Sequence, residues 1–154
     1  MSASTHDIKV LNSLVEGLID CAEAYTEAHT RLDDACYRQW FERRAADRIA
    51  LAEEFKKEVR LRGGSPADNG TTLAKAQRAF SGFAQAVLGN PKPALETVKA
   101  SEAKLKTRFD DAINDTHISA PTRETIRRGL IRFGEAESDL ATLTAQMNND
   151  QTAV

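Results

Sequence analysis

The stretch IKVLNSLVEGLIDCAEAY, running from Ile8 to Tyr25, decides the fold. Its apolar positions Ile8, Leu11, Val15, Leu18, Ala22 and Tyr25 recur at alternating steps of three and four, and His29 is next in line. Such steps keep residues on one face of an α-helix, whereas steps of two would mark a strand. A long amphipathic helix with a seam turned to a partner helix is therefore predicted. Extended outward, it runs from about Thr5 to about His29. Ser4 or Thr5 serves as its N-cap, and Asp7 lies in the first turn, where the helix dipole favours a carboxylate.

The same kind of seam returns further along. After a joint at Thr30 to Asp34, a second helix is predicted from about Asp33 to Arg62. Its seam is Phe41, Ala45, Arg48, Ala52, Phe55 and Val59, flanked by Ile49 and Leu51. It stops at Gly63-Gly64-Ser65-Pro66, because glycine supplies a left-handed C-terminal turn and proline cannot continue a helix. A polar turn, Ala67 to Thr72, leads to a shorter amphipathic segment from about Thr71 to Leu88, with Leu73, Ala76, Phe80, Phe83 and Val87, ending at Gly89-Asn90-Pro91.

A third long helix, from about Pro91 to Asn114, opens on Pro91 and Pro93, which a first helical turn tolerates. Its seam is Leu95, Val98, Glu102, Leu105, Phe109 and Ala112. The turn from Asp115 to Ala120 offers Ser119 as a cap, with Pro121 early in the fourth helix. That helix continues through Ile126, Leu130, Phe133, Glu137, Leu140, Thr144 and Met147. Residues 148–154 are polar and read as a flexible C-terminal tail. No strand pattern occurs.

The expected architecture is all-α, a single domain over residues 1–147. It is a ferritin-like four-helix bundle with a short extra helix in the crossover between the second and third long helices. A helical segment of about 18 residues spans roughly 27 Å and can carry the chain back along the bundle.

A length of 154 residues suits one domain with a real core. With 41% apolar and 29% charged residues the chain has the balance of a folded protein rather than a disordered one. Twenty-one basic and 23 acidic side chains give a net charge of -2, which argues against nucleic-acid and anionic-membrane partners. No apolar run approaches the roughly 20 residues that span a bilayer. Met1 to Val10 lack the basic and apolar regions of a secretion signal, so the cytoplasm is the expected compartment. Cys21 and Cys36 are too few for a disulfide framework and are not spaced as a metal or redox pair. They read as small buried hydrophobes, since a disulfide between them does not suit a reducing compartment.

A family resemblance rests on several of these stretches. The run Arg48 to Pro66, RIALAEEFKKEVRLRGGSP, resembles the second helix of a bacterial ferritin-like four-helix-bundle family known as domain of unknown function 2383. The run from Ala100 to Phe109, ASEAKLKTRF, is similar to that family's glutamate-bearing third helix, and Leu11 to Glu16 and Asp20 to Ala28 look alike too. The resemblance covers most of the chain, and the Gly-Gly-x-Pro turn is its most specific motif. It implies a fold and no particular activity. The family pattern has a histidine near the position of Glu137, so the resemblance implies an altered site in helix four.

Three seam positions carry a charge in place of an apolar residue: Arg48, Glu102 and Glu137. Buried charges are too costly to leave unpaired, so a hydrogen-bonded cluster of Arg48 with Glu102 and Glu137 is expected inside the bundle, where it would fix the register of the helices. The alternative is a metal, iron or manganese, held by Glu102 and Glu137 with water. An adjacent arginine would repel such a cation.

A di-iron carboxylate centre needs Glu-x-x-His pairs on two helices. None of His6, His29 and His117 lies three residues after a glutamate. The acidic row Glu16, Asp20, Glu23 and Glu27 falls opposite the seam and reads as a solvated stripe, and Glu53, Glu54 and Glu58 lie off the seam of helix two. Arg123, Arg127, Arg128 and Arg132 form a basic face, read as a salt-bridged surface. Tyr37 and Trp40 read as aromatics closing one end of the bundle.

No catalytic residues and no cofactor are expected. The functional expectation is a non-catalytic cytoplasmic bundle working by protein association, a homodimer included, with a stress-related role drawn only from ferritin-like analogy. The competing expectation is a degenerate di-metal oxidase or iron-handling protein.

Overall fold

Four α-helices make up the described structure, a computed structural model that describes residues 3–71 and 92–152. They are α1, Ala3–His29; α2, Ala35–Leu61; α3, Lys92–Ile113; and α4, Ala120–Thr152. No strand occurs among the described residues. The segment expected to be helical from about Thr71 to Leu88 lies outside the described residues from position 72 onward, as does the Gly89-Asn90-Pro91 stop. None of the described helices is long and apolar enough to cross a membrane.

Local chemistry sets the helix ends. Asp34 caps α2 by accepting hydrogen bonds from the Cys36 and Tyr37 amides at 2.8 and 3.2 Å. At the other end Gly63 adopts φ 81°, and the Gly64 amide donates to the Val59 carbonyl at 3.0 Å. A side chain at position 64 would come within 2.7 Å of Ile8, so the second glycine lets the turn close on α1. Ser119 accepts from the Thr122 amide at 3.4 Å at the start of α4. The fourth helix continues past Met147: residues 148–152 are helical, with no glycine or proline to interrupt them, and the Tyr37 hydroxyl donates to Asp150.

Contacts at successive heights give each helix its direction. Ser4 meets Arg62 while Tyr25 meets Phe41, so α1 and α2 are antiparallel. His6 meets Asp115 while Tyr25 meets Glu102, so α1 and α3 are antiparallel as well. Arg62 bonds Thr122, Glu54 bonds Arg132 and Arg44 bonds Asp139, which makes α2 and α4 antiparallel. It follows that α2 and α3 run the same way, and the chain leaves α2 at one end of the bundle and enters α3 at the other. The described part of that connection climbs α1. Asn12 bonds Ser65 and Ala67, and Asp20 accepts from the amide and hydroxyl of Thr71 at 2.9 and 2.8 Å. Asp20, expected in a solvated stripe, is thus the anchor for the returning chain.

One core unites the helices, with Leu11, Leu18, Phe55, Leu105, Phe109, Ile126 and Phe133 all under 3% exposed. The Phe109 ring lies 5.7 Å from Phe55 and 5.1 Å from Phe133. Opposite them sits Gly129, where a Cβ would fall 2.8 Å from Phe109 and 3.1 Å from Phe55. This close approach sets the rotation of α4. Two alternating readings of that helix share Ile126, Phe133, Leu140 and Met147. One adds Leu130, Glu137 and Thr144; the other adds Gly129, Ala136 and Leu143. The second is buried, because the glycine at 129 is what lets α4 pack against the phenylalanine cluster. Glu137, expected in the seam, is exposed as a result. A similar one-place difference on α2 buries Arg44 rather than Ala45, and Ile49 is 44% exposed.

Asp7 is buried where α1 meets the start of α4 and accepts from the Ser119 amide at 3.0 Å, from the Ser119 hydroxyl, and from Thr122 at 2.9 Å. Burial pushes its carboxyl upward, yet the bonds from Ser119 and Thr122 and the charge of Arg62 outweigh that and leave it below its ordinary value of 3.8. The folded state then binds fewer protons than the unfolded one, so stability contributed by Asp7 is present above the unfolded pKa and is lost as pH falls through the folded one. Thermal midpoints measured against pH should fall for the wild type below about pH 4. The Asp7→Asn variant should be weakened at neutral pH and show a flatter acid limb. An acid limb identical to the wild type would rule Asp7 out as the source.

Candidate functional site

The most distinctive group of side chains lies midway along the bundle, where α1, α2 and α3 each send one polar residue inward. Arg48 and Glu102 occupy seam positions of α2 and α3, and their side chains are only 2% and 8% exposed. The guanidinium donates from Nε and Nη2 to Glu102 Oε1 at 3.0 and 2.9 Å, and from Nη2 to Oε2 at 3.0 Å. Tyr25 of α1 donates its hydroxyl to the same Oε1 at 2.7 Å. Oε1 thus accepts from two other helices, and Oε2 accepts from Arg48.

Aromatic rings complete the surroundings. The Arg48 guanidinium carbon lies 4.5 Å from the centroid of the Phe133 ring, a cation–π contact that a desolvated position strengthens. Tyr25 packs edge-on to Phe41 at 5.6 Å and to Trp40 at 6.2 Å. Burial opposes the charge on Arg48, but the Glu102 carboxylate more than offsets it, and the guanidinium pKa is raised. Burial, then the charge of Glu102, push the Tyr25 hydroxyl and the neighbouring Cys21 thiol well above their usual ranges. Both therefore stay protonated near neutrality.

Of the three residues expected together, Arg48 and Glu102 meet and Glu137 does not. Glu137 projects from the exposed side of α4, although it lines the same α3–α4 groove of about 510 Å³ that Glu102 borders, with Lys99, Lys106 and Leu140. Tyr25 was missed because its ring fits the apolar seam, and the partner of its hydroxyl is 77 positions away. Arg44 was missed with it: the guanidinium stacks on Trp40 at 5.2 Å and pairs with Asp139 and Asp47. Cys21 is buried and Cys36 exposed, and both thiols are free.

A ferritin-like resemblance raises a di-metal centre, and the residues do not fit one. Glu102, the buried carboxylate at mid-bundle height, already receives four hydrogen-bond contacts from Arg48 and Tyr25. A cation placed at Glu102 would face the Arg48 guanidinium directly. The histidines sit toward helix ends, with His6 bonded to Asp115 at 2.8 Å. Among the described residues no three His, Cys, Asp or Glu side chains are arranged to hold an ion.

No curated protein and no solved structure matches the chain. The profile of the family described as Domain of unknown function (DUF2383) matches residues 6–115. That range takes in nearly all of α1, the whole of α2 and α3, and both polar partners Arg48 and Glu102; α4 lies beyond it. With more than half of its length matched, the chain belongs to the DUF2383 family.

Proposed function

We propose that the protein is a ferritin-like helical bundle that works by association through its outer surface and carries out no chemistry in its interior. The observation that supports this reading most is the pairing of Glu102: the Arg48 guanidinium reaches both of its oxygens and the Tyr25 phenol adds a bond to Oε1. The parallel run of α2 and α3 agrees with a ferritin-like crossover. Two unbridged thiols suit a reducing compartment, and the cytoplasm is the proposed location.

The second reading, a degenerate di-metal protein, draws on the α3–α4 groove that Glu102 and Glu137 both line. It is weaker because the groove brings Glu102 beside Arg48, whose fixed charge opposes a bound cation at low dielectric. Metal analysis of the purified full chain separates the two. The expected result is a protein without stoichiometric metal. Iron or manganese at one or two ions per chain, lost on Glu102→Ala substitution, would overturn the association reading.

A further inference from the structure

The α2–α4 side of the bundle leaves apolar groups uncovered. Leu61 is 79% exposed and Ile131 is 62% exposed. Both line a groove of about 570 Å³ between the two helices, together with the buried Leu51, Phe55 and Gly129. Two large aliphatic side chains held in water at one place mark a binding surface. From Leu51 to Leu61 the groove runs about 15 Å along α2, the length of a three-turn helix.

Charge defines what the groove takes. Its two acids are already paired, Glu54 with Arg132 at 2.9 Å and Glu58 with Arg62 at 2.6 Å. Lys57 and Arg128, which line it from α2 and α4, are both exposed and have no carboxylate partner among the described residues. The Glu54–Arg132 pair sets the heights of these antiparallel helices. Lys57, three places beyond Glu54, lies near the level of Arg128, four places before Arg132. Two uncommitted cations thus stand at one height, one on each wall. Leu61 lies about one turn beyond them in one direction and Ile131 about one turn in the other, so the aliphatic groups are separated by about two turns, roughly 10 Å.

We infer that this groove binds an acidic amphipathic α-helix of another protein, laid along it between α2 and α4. Aliphatic residues seven apart on that helix cover Leu61 and Ile131, and carboxylates on its two flanks meet Lys57 and Arg128. The sign of the charge selects this partner. A second copy seated by the same groove offers it cations and no unpaired carboxylate. The chain's own residues 72–91 carry Lys75 and Arg78 and no acid, so they too have the wrong sign. An anionic bilayer is opposed by Glu53, Glu54 and Glu58 on the same stretch of α2 and by the net charge of -2. The inference rests on the proposal that the outer surface does the work, and it names the surface and the chemistry of the partner.

Fluorescence anisotropy on the full chain tests it, with circular dichroism confirming that each variant folds. The probe is a labelled, stapled helical peptide of about 15 residues, with leucines along one face at i and i+7 and glutamates on both flanks. It should bind saturably, with a Kd on the order of tens of micromolar. Ile131→Ser and Leu61→Ser should each weaken it about fivefold or more. Lys57→Glu combined with Arg128→Glu should weaken it about tenfold or more, and that double variant should instead take the same peptide carrying lysines for glutamates. No binding of the acidic peptide at millimolar concentration, or equal binding of the lysine peptide by the wild type, would overturn the inference. So would folded variants that bind as the wild type does, and so would binding to phosphatidylserine vesicles in place of the peptide. Self-association of the wild type that Ile131→Ser abolishes would overturn it too, giving the groove to a second copy. Each of these leaves the association proposal with a different surface or partner. Metal found at Glu102 in a protein that binds the peptide as described would overturn the parent proposal and leave the groove standing.

Discussion

Replacing Arg48 with methionine is expected to cost the folded state about 3–5 kcal/mol, because it strands a buried carboxylate. Methionine roughly matches the volume of the arginine stem, so the loss reports the missing guanidinium rather than an empty space. Glu102 keeps the Tyr25 hydroxyl on Oε1, but Oε2 loses its Arg48 donor. The Phe133 ring, which the guanidinium covers at 4.5 Å, loses a contact as well. Urea denaturation followed by far-ultraviolet circular dichroism measures the change. A loss well under 1 kcal/mol would mean that water reaches Glu102 and that the layer is not desolvated.

The second large effect belongs to the phenylalanine cluster. Phe109→Ala should lose about 3–5 kcal/mol, through lost transfer energy and the cavity left between three helices. The ring touches Phe55 and Phe133 and faces Gly129, so α2, α3 and α4 all lose a packing partner at once. The same geometry makes Gly129 conditional on that ring. In the wild type Gly129→Ala places a methyl 2.8 Å from Phe109 and must displace it. In the Phe109→Ala background the added methyl fills vacated space, and the pair should be less unstable than the sum of the singles. Strict additivity would show that Gly129 and Phe109 do not share the contact.

Much of this architecture was legible in the residues. The alternating seam of α1, the Gly63-Gly64-Ser65-Pro66 stop and the Ser119 cap locate helices whose ends agree with the structure to within a few residues. Each signal is local: it depends on what a residue does to its own backbone. The rotation of α4 was not legible, because its two alternating seams share four residues and differ in whether positions 129, 136 and 143 or positions 130, 137 and 144 face inward. That choice is made by Phe55 and Phe109, which belong to other helices, so Glu137 could not be placed from its own surroundings.

The charged layer was half legible for the same reason. A charge within an apolar seam marked Arg48 and Glu102, and the cost of isolated charge required that they meet. Tyr25 carries no such mark, since a ring in a seam reads as a hydrophobe whatever its hydroxyl does. Asp7 was likewise read as a dipole partner of its own helix, whereas it receives its bonds from Ser119 and Thr122 more than a hundred positions away.

A double-mutant cycle on Arg48 and Glu102 tests the filled interior most directly. Arg48→Met, Glu102→Leu and their combination would be compared with the wild type by urea denaturation. The loss suffered by Tyr25 when its acceptor is removed appears in both Glu102 variants and cancels. The expected coupling is about 2–3 kcal/mol, with the double variant far more stable than the two single losses added together. A coupling below about 0.5 kcal/mol would contradict it, for then Arg48 and Glu102 would be independent and the centre of the bundle would not be held by their pairing.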